Sequence, residues 1–157
     1  MAQDLYKIIY ISAARHDLSD QALETLLVKC RDKNAFFDIT GYMVYHERNI
    51  IQLLEGRRTA VEYIYNTIRM DDRHQNITEL CASPIENRAF ADWQMGFQKI
   101  DRQRIETINT MEDMFQGELS MPQLDAFCNR ASLFFETFLK FARLENYALL
   151  KERMTVV

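Results

Sequence analysis

The succession of hydrophobic periods constrains this chain more tightly than any single motif. Residues 6–12, YKIIYIS, are β-branched and aromatic, which is the composition of a strand. In the following LSDQALETLLVKCRDKN, Leu23, Leu26, Leu27 and Cys30 recur at helical spacing, and Ser19 is placed to cap the helix start. Two more strand-like runs, ITGYMVY (39–45) and IIQLLE (50–55), flank the polar HERN and read as a hairpin. After Gly56, Thr59 is placed to cap a second helix with the face Val61, Ile64, Tyr65 and Ile68, which should stop near DDRH. Residues 77–83 (ITELCAS) and 90–99 (FADWQMGFQK) read as two further strands. The order β-α-β-β-α-β-β predicts an α+β fold: a ferredoxin-like βαββαββ sheet, rich in antiparallel pairs, with two helices on one face.

Beyond residue 101 the pattern is helical only. Residues 102–115 read as a modest helix and 122–145, opened by Pro122, as a stronger one. In the latter, Leu124, Phe127, Ala131, Phe134, Phe138 and Phe141 form a heptad-like seam, widened by Cys128, Phe135 and Ala142. A sheet with both early helices on one face leaves the other face uncovered, and this stripe suits it. The organisation expected is one α+β unit over 1–100 and a helical cap or extension over 101–157 that is not an independent domain.

Composition narrows the function classes. With 157 residues the chain is most simply one domain. Its net charge of −4 and pI near 5.4 argue against direct nucleic-acid binding. No apolar run approaches the roughly 20 residues that span a bilayer, and MAQDLYK lacks the features of a signal peptide, so a cytoplasmic location is expected. Cys30, Cys81 and Cys128 are scattered, as are His16, His46 and His74, and none of their spacings suggests a metal site or a disulfide framework.

The informative residue is Gln52, an amide between Ile50-Ile51 and Leu53-Leu54. Burying an amide without partners costs about 1–3 kcal/mol. Strand alternation puts Gln52 on one face with Ile50 and Leu54, and Tyr10 on one face with Tyr6 and Ile8. If both faces lie under the helices, a phenol and an amide meet there, and Asn34 near the end of the first helix could add a second amide. Taken singly, Asn34 reads as a helix C-cap, Tyr10 as a core tyrosine reaching a rim, and Gln52 as a residue facing solvent.

Together, LYKIIYISA, the N-x4-ITG that begins at Asn34, IIQLLEG, DDRH and the W-x-M of Trp93 and Met95 resemble the BLUF domain, the blue-light receptor that uses FAD. The resemblance covers about residues 4–100, and the whole chain is similar to the short stand-alone members. It implies a non-enzymatic photoreceptor with FAD between the two helices, bound by Tyr10, Lys33, Asn34, Gln52, Ile68, Asp71, Arg73 and His74. It implies also a light-driven electron and proton transfer from Tyr10, a rearranged Gln52, and a relay through Trp93 and Met95 to the C-terminal helices. Spacing places Trp93 and Met95 on one face of the last strand. Two positions depart from the family pattern: Lys33 stands where relatives often carry histidine or asparagine, and Thr67 where many carry a basic residue. Output is expected through contacts, by a homo-oligomer and a light-dependent protein partner. An RNA-binding module shares the βαββαβ core but needs a basic surface. A small ferredoxin-like enzyme, or a ligand-binding regulatory module without photochemistry, is the other alternative, and the chain shows no convincing nucleophile or acid/base pair for catalysis.

Overall fold

The computed structural model describes residues 4–107, 113 and 116–128. Strand β1 (Leu5–Ala14) pairs antiparallel with β3 (Asn49–Arg57) at the centre of a five-stranded sheet. Helix α1 (Asp20–Phe36) follows β1, and β2 (Thr40–His46) lies antiparallel to β3. Helix α2 (Arg58–Arg69) leads into β4 (His74–Pro84), which pairs antiparallel with β1. Strand β5 (Gly96–Lys99) runs parallel to β2 at the far edge, so the order is β4-β1-β3-β2-β5. Helix α3 (Arg102–Thr107) and helix α4 (Met121–Cys128) follow. This is the predicted ferredoxin-like sheet with one added strand.

Local chemistry explains the element boundaries. Ser19 accepts from the Ala22 amide at 3.1 Å and caps α1, as the sequence suggests. The β2–β3 hairpin closes on Glu47 and Arg48, whose φ values of 42° and 73° make the mirror-image turn that matches strand twist. Thr59 does not cap α2. The helix runs straight out of β3, its N-cap is Arg57 without a side-chain bond, and the Arg58 amide is taken by the Asp4 carbonyl at 2.9 Å. At α4, Ser120 and Gln123 form a reciprocal capping box, while Leu119 and Leu124 stand at the two staple positions and are both buried.

Two cores lie on the two faces. Under α1 and α2, Ile8, Tyr10, Ile50, Leu54 and Met43 pack against Leu23, Leu27, Val61, Ile64 and Tyr65. On the opposite face Ile9, Ile11, Val44, Ile51 and Leu53 pack against Phe90, Ile100, Leu119 and Leu124. The C-terminal region therefore does cover the second face, as far as its described residues go. The seam from Ala131 to Phe141 and the rest of the 122–145 helix lie outside the described residues, as does most of 108–115.

The last predicted strand is mostly not a strand. Only Gly96–Lys99 pairs, whereas 85–95 connects one sheet edge to the other across the second face. A buried acid anchors that crossing. The Glu55 carboxyl accepts from the Ala89 amide (3.0 Å), the Phe90 amide (2.6 Å) and the Thr40 hydroxyl (3.1 Å). Arg88 adds bonds to the Asp38 carbonyl and to Thr40 Oγ1. Removing Glu55 orphans the buried Phe90 amide and the half-buried Ala89 amide, so Glu55→Ala should lower the unfolding free energy by about 2–3 kcal/mol in chemical denaturation.

Candidate functional site

Antiparallel register places Tyr10 directly opposite Gln52, with both side chains on the helix-covered face. The Tyr10 hydroxyl donates to Gln52 Oε1, and Gln52 Nε2 donates to Met95 Sδ at 3.4 Å. All three residues are buried. The Tyr10 ring tilts against Tyr65 of α2 with centroids 5.4 Å apart. Burial, helped by Cys30, Tyr65 and Asp71, pushes the Tyr10 phenol well above its ordinary value. It is therefore a neutral hydroxyl that keeps its proton unless an electron leaves with it.

Asn34 is the second amide. It sits inside α1, which ends at Phe36 and is C-capped by Phe37, so the C-cap reading is overturned. Only 1% exposed, Asn34 donates through Nδ2 to the Gln94 carbonyl at 2.7 Å, with Cys30 Sγ at 3.6 Å. Cys30 lies one turn before Asn34, and burial raises its thiol while the bonds from Asn34 and Gln52 and the charges of Arg31 and Lys33 lower it. Both amides thus meet sulfur, a weak acceptor. Gln52 Nε2 rests on a thioether and Asn34 Nδ2 on a backbone carbonyl, and this pair of buried amide donors matches the carbonyl and ring-nitrogen acceptors of a flavin edge.

The W-x-M pair divides. Met95 belongs to the helix-side core beside Gln52, whereas Trp93 packs on the other face against Tyr42 and Phe90, with centroids 5.5 and 5.8 Å away. The expectation of a shared face fails because 93–95 is not a strand, and period-2 alternation does not apply there. Gly96 lets the crossing turn so tightly, since a Cβ there would stand 2.4 Å from both the Trp93 and the Tyr42 rings.

The remaining predicted residues lie farther out. Ile68 is half-buried at the edge of the helix-side core. His74 Nε2 lies 2.7 Å from the Ile68 carbonyl, which can only accept, so that nitrogen carries the proton. Its Nδ1 meets the buried Ser12 hydroxyl at 3.0 Å. Arg73 is exposed and closes on Asp71 through Nε and Nη2, at 3.0 and 2.5 Å. Lys33 is exposed, and only its charge reaches the cluster. Cys30, Arg31, Ser12 and Tyr65 were not singled out as site residues. The i, i+4 spacing of Cys30 and Asn34 was the available signal for the first. Among the described residues no group of three potential metal ligands occurs, and no helix is long and apolar enough to cross a membrane.

A phenol–amide pair roofed by two helices on one face of a split βαβ sheet defines a small ligand-binding sensor domain. Residues 5–96 match the family model described as BLUF, sensors of blue-light using FAD, and the chain belongs to that family. The blue light- and temperature-regulated antirepressor BluF of Escherichia coli K12 is 31% identical over 134 residues, which span 85% of this chain and 32% of that protein. The photoactivated adenylate cyclase subunit beta of Euglena longa is 33% identical over 92 residues, 58% of this chain and 11% of that protein. The chain therefore spans a third or less of these relatives. Among solved structures, BlsA in its photo-activated state is 31% identical at a TM-score of 0.61, covering 80% of this chain and 92% of that one. The dark-state structure of the BLUF protein BlrB is 27% identical with the same coverages and a TM-score of 0.62.

Asp71 yields a pH test. Its hydrogen bonds from Arg73 outweigh burial and hold the carboxyl at about 2, below its ordinary 3.8. A depressed folded value stabilises the fold above the ordinary value, and that contribution is lost as pH falls through about 2. Asp71→Asn should accordingly be less stable than the parent at neutral pH, and thermal unfolding scans should show the gap closing toward pH 2.

Proposed function

We propose that this chain is a blue-light receptor that holds FAD between α1 and α2 and signals by a hydrogen-bond change at Gln52. The observation that carries the proposal is the buried line Tyr10–Gln52–Met95 beneath the helices. Gln52 and Asn34 would face the polar edge of the isoalloxazine, Ile68 would pack on the cofactor, and Lys33, Asp71, Arg73 and His74 would line the outer part of the site. The family description names FAD, which supports FAD as the flavin bound here. Acid release and chromatography of the bound cofactor test it directly.

When bound, the flavin supplies the absorption of blue light and an excited state able to accept an electron. Tyr10 is a neutral phenol, and the group receiving its hydrogen bond is Gln52 Oε1. Loss of an electron makes the phenol strongly acidic, so its proton moves toward that oxygen. Gln52 then holds a proton where it had a lone pair. Rotation of the side chain would then exchange its donor and acceptor ends. Nε2 leaves Met95 Sδ, and return of electron and proton to Tyr10 leaves Gln52 in the new arrangement. Nothing is consumed, so the cycle is a switch between two states and not a turnover. The low-dielectric surroundings make this single exchange energetically large.

Residues 1–100 form the photosensor in this reading, with 101–157 as its helical extension. The relatives' names speak of an antirepressor and of adenylate cyclases, functions of much longer chains. Here the output is a contact with a cytoplasmic protein partner, made by a homo-oligomer, and the domain itself catalyses no reaction. The purified protein should be yellow, and blue light should shift its flavin band reversibly to the red. Gln52→Leu should retain flavin and lose that shift, and Tyr10→Phe should block the productive cycle. A normal photoresponse in Gln52→Leu would remove Gln52 from the switch, and a colourless preparation releasing no flavin would overturn the receptor assignment itself.

A further inference from the structure

Three successive carbonyls of the irregular stretch 93–95 are each held by a donor from another element. Trp93 O accepts from the Gly41 amide of β2 at 3.0 Å. Gln94 O accepts from Asn34 Nδ2 at 2.7 Å, and Met95 O accepts from Arg31 Nε at 3.0 Å. The Met95 side chain in turn receives Gln52 Nε2. Beside the packing of Trp93 and Met95 into the two cores, a segment outside any strand, with no ladder to fix it, is thus held by these four point contacts. Two of them come from α1, at positions three apart on one side of the helix. Arg31 is the charged member, and its bond to Met95 is the charge-assisted one. Its contact is made on the open side of the segment, in a cleft that Asp92, Trp93, Phe97 and Glu118 also line.

We infer that Arg31 is a positioning residue of the switch: it fixes the Met95 carbonyl and thereby holds Met95 Sδ within reach of Gln52. The inference rests on the receptor reading above for its consequence, and on geometry alone for the clamp. With Arg31 in place, the arrangement in which Gln52 Nε2 meets Met95 Sδ is favoured. Without it, the same side chain loses its anchor on one side, and return to that arrangement is slowed. A second consequence concerns Trp93, two residues from the clamped carbonyl and the one tryptophan of the chain. Its fluorescence reports the segment with no contribution from another indole.

The test uses the full chain and the variants Arg31→Ala, Arg31→Lys and, as an exposed control on the same helix, Lys29→Ala. Circular dichroism first establishes that each is folded. With the flavin stripped, Arg31→Ala should shift the Trp93 emission to the red and raise its quenching by acrylamide. Arg31→Lys should restore most of the parent signal, because a single-donor contact is one that an ammonium can make. Lys29→Ala should match the parent. With flavin bound, recovery in the dark after blue light should slow in Arg31→Ala by up to about tenfold, the scale of one lost charge-assisted hydrogen bond. A parent-like Trp93 signal in Arg31→Ala overturns the clamp, and a changed signal with unchanged recovery overturns its role in the switch. If the parent shows no light response, the receptor reading fails on its own, and the flavin-free comparison still decides the clamp.

Discussion

The antiparallel pairing of β1 with β3 is the constraint on which the site depends. It sets Tyr10 opposite Gln52, and it puts both under the helices. Strand side chains alternate faces, so a slip by one residue would carry the amide to the other side of the sheet and bring Leu53 or Ile51 in its place. The tight turn at Glu47 and Arg48 fixes β2 against β3, and the bulged pairing of β1 with β4 leaves this register untouched. A polar pair can be buried in this core because the register delivers each group to its partner. Neither an unpaired phenol nor an unpaired amide would be tolerated there.

The second face has a different logic. There the chain lays an irregular crossing over a sheet whose inner strands are buried on both sides, which is why β2 and β3 read as nearly continuous apolar runs. Glu55 meets the crossing from below with its carboxyl, and Asn34 and Arg31 meet it from the side. Trp93 and Met95 consequently end on opposite faces of the sheet although only Gln94 separates them. This stretch touches both cores within three residues, so Met95 beside Gln52 is joined by a short covalent path to the face on which Leu119 and Leu124 pack.

Much of this was legible before the coordinates. The element order, the Ser19 cap and the hairpin at HERN follow from period and turn chemistry, because each is decided by neighbours in sequence, whereas the meeting of Tyr10 and Gln52 was conditional on which faces the helices cover. The failures share a cause as well. Thr59 looked like a cap, yet the Arg58 amide found Asp4, a partner distant in sequence. FADWQMGFQK carried strand-like residues, but its first six serve a crossing whose hydrogen bonds go to Gly41, Asn34 and Glu55. Asn34 looked like a helix end because its partner, the Gln94 carbonyl, lies sixty residues on. Tertiary partners decided each of these, and no local propensity reports them.

Strand β5 pairs with a single neighbour over four residues, in the parallel sense that gives the less stable ladder. The β1–β3 ladder, by contrast, runs the length of two buried strands. Amide exchange should therefore be faster in the outer strand than in the central ladder. The outer strand has few ladder bonds to lose, so it can open while the Tyr10–Gln52 alignment set by the central ladder is kept. A domain built this way separates the stability of the central polar pair from that of the edge beside it.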